Sequence, residues 1–189
     1  MPRLIVILLL VCIATGCGRG DDPVPAGGDH AHGPGHRHTH PEPPPPADDG
    51  PLEAQLAQAE AGQRDFVRLW TRHATDDDSR RIAVAEGLVR VIFNDTSMTD
   101  EGLAALAMMP ALETLRLRSA KVTDAGLAAI ARCKTLRHLI LLDAPITDAG
   151  LLHLKDLPAL ESLYLINTPV TDDGVAALLQ QRPGLHVHW

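Results

Sequence analysis

His30, His32, His36, His38 and His40 stand at alternate or near-alternate positions in one short stretch. Neutral imidazoles so spaced can converge on a borderline metal such as zinc, nickel or copper. Nothing in the stretch fixes their geometry, so the competing reading is a solvated tether that is rich in histidine. A second pattern is acidic: Asp100, Asp124, Asp148 and Asp172 recur every 24 residues, each directly after a threonine. Stacked carboxylates could hold a hard cation. Their identical place before a helical segment points instead to capping, in which a side-chain oxygen accepts from the free amides of a first turn. His186 and His188 face out together on a C-terminal segment of alternating hydropathy and could chelate a metal or simply be solvated. No G-x-S-x-G elbow, H-E-x-x-H pair, glycine-rich phosphate loop or cysteine pair is present. Catalysis is not expected.

The spacing of the acidic column leads to the elements that carry it. Residues 98–121, 122–145 and 146–169 repeat one another without insertion or deletion, and the pair Thr-Asp returns at Thr171-Asp172 and, upstream, at Thr75-Asp76. A fixed period of this length is the signature of a solenoid. The second half of each unit reads L-x-x-L-x-L: Leu112, Leu115, Leu117; Leu136, Leu139, Leu141; Leu160, Leu163, Leu165; with Leu88, Val91 and Phe93 one period earlier. The spacing of two puts the last pair on one face of a short strand and turns the intervening residues to solvent. The first half is a short helix with apolar pairs Leu103/Leu106, Leu127/Ile130 and Leu151/Leu154. Gly102, Gly126, Gly150 and Gly174 recur in its first turn, where a Cβ would crowd the neighbouring coil.

On these motifs the chain from Ala74 to Trp189 resembles the leucine-rich repeat family, in its T-D-x-G-L type with one strand and one short helix per repeat. The resemblance implies an α/β fold: a leucine-rich repeat solenoid with a parallel concave sheet and short convex helices, preceded by a disordered linker. Many members carry Asn at the turn after the strand. Thr96, Ala120, Ala144 and Thr168 stand there in this chain, so no asparagine ladder is expected.

The segments before and after the repeats complete the organisation. Residues 1–16 read as a signal peptide, with Arg3 ahead of an apolar run and small residues Ala14-Thr15-Gly16 at its end. Cys17 follows directly and resembles the lipid-bearing cysteine of bacterial lipoproteins. Residues 17–50 are then a lipidated cysteine and a disordered His/Pro-rich linker, with Val24 as its only large aliphatic residue. Residues 51–73 form an N-terminal cap: Leu52, Leu56 and Ala59 keep helical spacing, and Val67 and Leu69 align with the strand positions Val91 and Phe93. Asp76-Asp77-Asp78 reads as a solvated acidic turn that starts a helix. Residues 74–189 are the repeats, closed by a strand whose Trp189 is expected to plug the open end. Once Cys12 leaves with the signal and Cys17 carries lipid, Cys133 has no partner and reads as a small buried apolar residue.

A formal charge of -7 and the absence of a basic run argue against nucleic acid as a partner. The outward strand positions suggest where a partner sits. Ile140, Leu142, Tyr164 and Ile166 form an apolar block on two adjacent strands, with Arg116, Arg118 and His138 beside it. That mixture is typical of protein contact sites. The expected function is a membrane-tethered module that binds a protein or other macromolecule through its concave face, exported and facing the periplasm or cell exterior. The alternative is a metal-binding surface lipoprotein acting through its His-rich tail.

Overall fold

The computed structural model describes residues 49–70 and 73–189. Within them, strands β1 (Phe66–Leu69), β2 (Arg90–Phe93), β3 (Thr114–Arg118), β4 (His138–Leu142), β5 (Ser162–Ile166) and β6 (His186–His188) form one parallel sheet in chain order. Every pairing keeps the 24-residue offset, from Phe66 opposite Arg90 to Ser162 opposite His186. The sequence period is therefore also the register of the sheet. Helix α1 (Leu52–Glu60) precedes β1, and between the strands run α2 (Asp76–Ala83), α3 (Asp100–Leu106), α4 (Asp124–Ile130), α5 (Asp148–Leu151) and α6 (Asp172–Gln181), with α5 continuing as a 3-10 turn over Leu152–Asp156. The strand aligned from Val67 and Leu69 is β1.

The core lies between the sheet and the helices. The alternate strand residues Val91, Phe93, Leu115, Leu117, Leu139, Leu141, Leu163 and Leu165 meet the helix residues Leu103, Leu106, Leu127, Ile130, Leu151 and Leu154 in one buried cluster. Each such aliphatic side chain contributes ~1.5–3 kcal/mol on burial, while ordering a residue costs ~1–2 kcal/mol of backbone entropy. A single coil closes no core by itself, so the coils must stack. Cys133 is buried in the same cluster, as its sequence context suggested.

The acidic column has a different use from the one its position suggested. Each aspartate carboxylate binds the following coil: Asp100 accepts from the Thr123 amide at 2.8 Å and hydroxyl at 2.7 Å. Asp76 does the same for Thr99, Asp124 for Thr147 and Asp148 for Thr171. Thr99, Thr123 and Thr171, in turn, cap their helices, accepting from the first-turn amides Glu101 N–H, Ala125 N–H and Gly174 N–H, whereas Thr147 makes no such bond. Thus a ladder of carboxylates joins coil to coil. The recurring glycine follows from it. A Cβ on Gly126, Gly150 or Gly174 would lie 2.5, 2.2 or 2.0 Å from the Oδ1 of Asp100, Asp124 or Asp148.

The first coil shows the converse. Twenty-four residues before Asp76 stands Leu52, not an acid, and the glycine place of α2 is filled by Asp78. Asp78 is buried and closes a capping box with Thr75, accepting its amide at 2.9 Å and its hydroxyl at 3.0 Å. This corrects the expectation of a solvated acidic turn.

Both ends of the array are closed by side-chain hydrogen bonds. At the N-terminal end, buried Gln55 of α1 reaches the free edge of β1, where its Nε2 donates to Arg68 O at 2.8 Å and its Oε1 accepts from Arg68 N at 2.9 Å. At the other end Trp189 does not plug the core. It is 56% exposed, and its indole N–H donates to Asp172 Oδ1 at 2.9 Å. The last carboxylate of the column takes a donor from the tail, which holds the ring outside.

Candidate binding surface

Alternation along β1 to β6 turns every second residue to the open face of the sheet, and the shared register arranges these residues in rows. One row runs Phe66, Arg90, Thr114, His138, Ser162, His186; the next runs Arg68, Ile92, Arg116, Ile140, Tyr164, His188. A third holds Arg118, Leu142 and Ile166. Neighbours within a row are about 4.8 Å apart, close enough for long side chains to cover short ones.

The predicted partner-binding residues all fall on this face, with one correction. Tyr164 and Ile166 are exposed, and Arg116, Arg118, His138 and Ile140 are half-buried. Leu142 points to the open face but is only 4% exposed. It stands between Arg118 and Ile166, which flank it on the two neighbouring strands. The apolar block is therefore narrower at the surface than the sequence suggested, and Ile140, Tyr164 and Ile166 carry it.

Several of these residues have partners that sequence did not pair with them. Tyr164 stacks on His188 with ring centroids 4.5 Å apart and planes 9° from parallel. Arg116 lies over the Trp70 ring, 5.4 Å from its centroid. Arg118 pairs with Asp143 at 3.1 Å, and Asp143 accepts from the Asn167 side-chain amide at 2.6 Å. Asp143 and Asn167 both take φ of 55°, the left-handed conformation that Asp and Asn tolerate better than other side chains. Around Phe66 gather Arg64, Arg68 and Arg90, at 4.1, 5.1 and 5.2 Å from the ring centroid. The Arg90 hydrogen bond to Asp65, 2.7 Å long, holds that carboxyl below its ordinary range. The alignment of Val67 and Leu69 with Val91 and Phe93 already implied that Phe66 and Arg68 face outward, which was the available signal.

The remaining sequence expectations concern other parts of the chain. Cys17 and the histidines His30, His32, His36, His38 and His40 lie outside the described residues. Among the described residues no group of three His, Cys, Asp or Glu side chains could hold a metal ion, and no helix is long and apolar enough to cross a membrane.

One strand and one short helix per 24-residue coil, stacked in register over a leucine core, define a leucine-rich repeat solenoid. A family model described as leucine-rich repeat matches residues 110–131. A solved leucine-rich repeat protein of Leptospira interrogans shares the fold with a TM-score of 0.50 at 14% identity, over 75% of this chain and 34% of that one. The chain thus spans only a part of that protein's length. No curated protein sequence matches it. Fold and repeat agree with that solved structure in architecture, and the family model matches one coil of the array. The identity of a ligand does not follow from the fold.

Proposed function

We propose that this chain is a binding module rather than an enzyme: exported, anchored by lipid on Cys17, and holding a protein partner against the open face of its sheet. The observation that carries the reading is the continuous run of Ile140, Tyr164 and Ile166 at the surface beside Arg116 and Arg118. Exposed apolar side chains next to arginine and tyrosine are the usual anchors of protein contacts. The anchor and the export rest on the residues from Met1 to Cys17, and the His/Pro-rich stretch of residues 17–50 is the proposed tether.

The test is capture of envelope proteins by the immobilised full chain, beside a variant carrying Ile140→Asp and Tyr164→Asp whose fold is checked by circular dichroism. Proteins held by the wild type and lost by the folded variant support the reading. Identical capture by both overturns it. If neither captures protein, calorimetric titration of the full chain with Zn²⁺ tests the alternative of metal binding by His30 to His40.

A further inference from the structure

Among the described residues β6 is the last strand of the sheet, and its outer edge is open. The opposite end differs. At β1 the Gln55 amide occupies both backbone groups of Arg68, so a second chain is kept from extending the sheet there. At β6 the His186 N–H donates to Glu161 O at 3.0 Å, toward β5. Successive residues of a strand alternate the side to which their N–H and C=O point, so those of Val187 face the open edge. The strand His-Val-His carries no lysine or proline of the kind that keeps edges from pairing.

What the open edge pairs with follows from symmetry. A copy of this chain does not offer β1, so two copies meet at the same edge about a two-fold axis, and their β6 strands run antiparallel. With the two Val187 residues exchanging both hydrogen bonds, His186 falls opposite the partner's His188, and His188 opposite the partner's His186. These are non-hydrogen-bonded pairs, the arrangement in which side chains stand closest, with Cβ atoms about 4.5–5.5 Å apart. Residues directly opposite share a face, and His186 and His188 both alternate with Val187. All four imidazoles therefore project from one side of the joined sheet.

The side chains suit a metal. His186 and His188 are exposed, and neither imidazole has a hydrogen-bond partner among the described residues. The His188 ring lies on Tyr164 with centroids 4.5 Å apart, which restricts its orientation. The adjoining outward residues of β5 are Ser162, Tyr164 and Ile166, none of them a cation that would repel a metal. One chain supplies two ligands, too few to close a site. Two chains supply four, the number that zinc takes in closed sites, and imidazole nitrogen suits zinc, copper and nickel. The metal is also what makes the contact last, since a three-residue edge by itself lies far below the roughly 1,000 Å² of a stable interface.

We propose that a borderline divalent metal ion such as zinc joins two copies of this chain at β6, with His186 and His188 of each copy as its ligands. The sheet then runs through both copies, and the apolar blocks at Tyr164 and Ile166 flank the metal on both sides. The proposal stands independently of the reading of the open face as a protein-binding surface.

The experiment uses the full chain carrying His30→Ser, His32→Ser, His36→Ser, His38→Ser and His40→Ser, so that zinc taken up by the tail does not obscure the result. Sedimentation velocity with Zn²⁺ is expected to show a dimer holding one zinc per two chains, which reverts to monomer in EDTA. Adding His186→Asn/His188→Asn, with folding checked by circular dichroism, should weaken dimerisation in zinc at least about tenfold. The Val187→Pro variant keeps both imidazoles and loses the amide that faces the edge, and when folded it should also dimerise at least about tenfold more weakly. If Val187→Pro does not fold, the histidine variant decides alone. Zinc bound one per chain without dimers, a chain that binds no zinc, or dimers that persist in EDTA overturn the proposal. Unchanged zinc-dependent dimerisation in either folded variant overturns it as well.

Discussion

At the scale of single residues, the glycine of each coil is set by the aspartate of the coil before it. Gly150 lies where a Cβ would come within 2.2 Å of Asp124 Oδ1, a carboxylate held in place by both Thr147 donors. Gly150→Ala must break that rung or displace the helix, and overpacking of this kind costs about 1–3 kcal/mol. A Cβ at Gly184 would meet nothing within 4 Å, so Gly184→Ala should change stability by less than about 0.5 kcal/mol. Urea midpoints of the two variants give the comparison directly. The ladder also has a pH signature. Hydrogen bonds from the Thr171 hydroxyl and amide hold the Asp148 carboxyl below its ordinary value of 3.8, and Arg90 does the same for Asp65. A depressed carboxyl stabilises the fold above its unfolded pKa, and the contribution is lost as pH falls through the folded value. Urea midpoints should therefore decline as pH is lowered below about 4, with a shallower decline in Asp148→Asn.

At the scale of elements, the two ends of the sheet are treated differently. β1 has its edge peptide satisfied by one side-chain amide, since Gln55 both donates to and accepts from Arg68. The buried amide takes the place of a further strand and stops the sheet at that side. Gln55→Ala leaves the Arg68 peptide without partners, and urea unfolding should show a loss of about 1–3 kcal/mol. Faster amide exchange at Arg68 would locate the effect at the edge. Helix α2 shows that an element can depart from the repeat once its neighbour does: with no acid below it, Asp78 replaces the glycine and caps α2 instead. Ser79 likewise replaces the usual leucine, and its hydroxyl is placed 2.8 Å from the Met98 sulfur.

At the scale of the whole array, the coils from Asp76 to Thr171 contact one another through the same rung, the same sheet register and the same core row. A unit should be removable without changing the others. Deletion of residues 122–145 brings Thr147 and Gly150 to the places of Thr123 and Gly126 above Asp100, so the shortened chain should retain a parallel sheet with one strand fewer. Circular dichroism should keep its shape while the urea midpoint falls, because one coil's worth of interfaces is lost. A shortened chain that is unfolded would show that the coils are not equivalent.

The repeat, the strand and helix places, the buried leucines and the outward set were legible in the sequence, because each depends on spacing within one coil. The period even gave the register, since identical coils stack with identical offsets. The aspartates were legible as a pattern but not in their role: a carboxylate before a helix looks the same in sequence whether it binds its own helix or the next coil's threonine. Distances between coils decide that. The same holds for Leu142, outward by alternation yet covered by Arg118 and Ile166, and for Trp189, inward by alternation yet held outside by Asp172. Local spacing fixes which way a side chain points; only packing across neighbouring coils decides what reaches the surface.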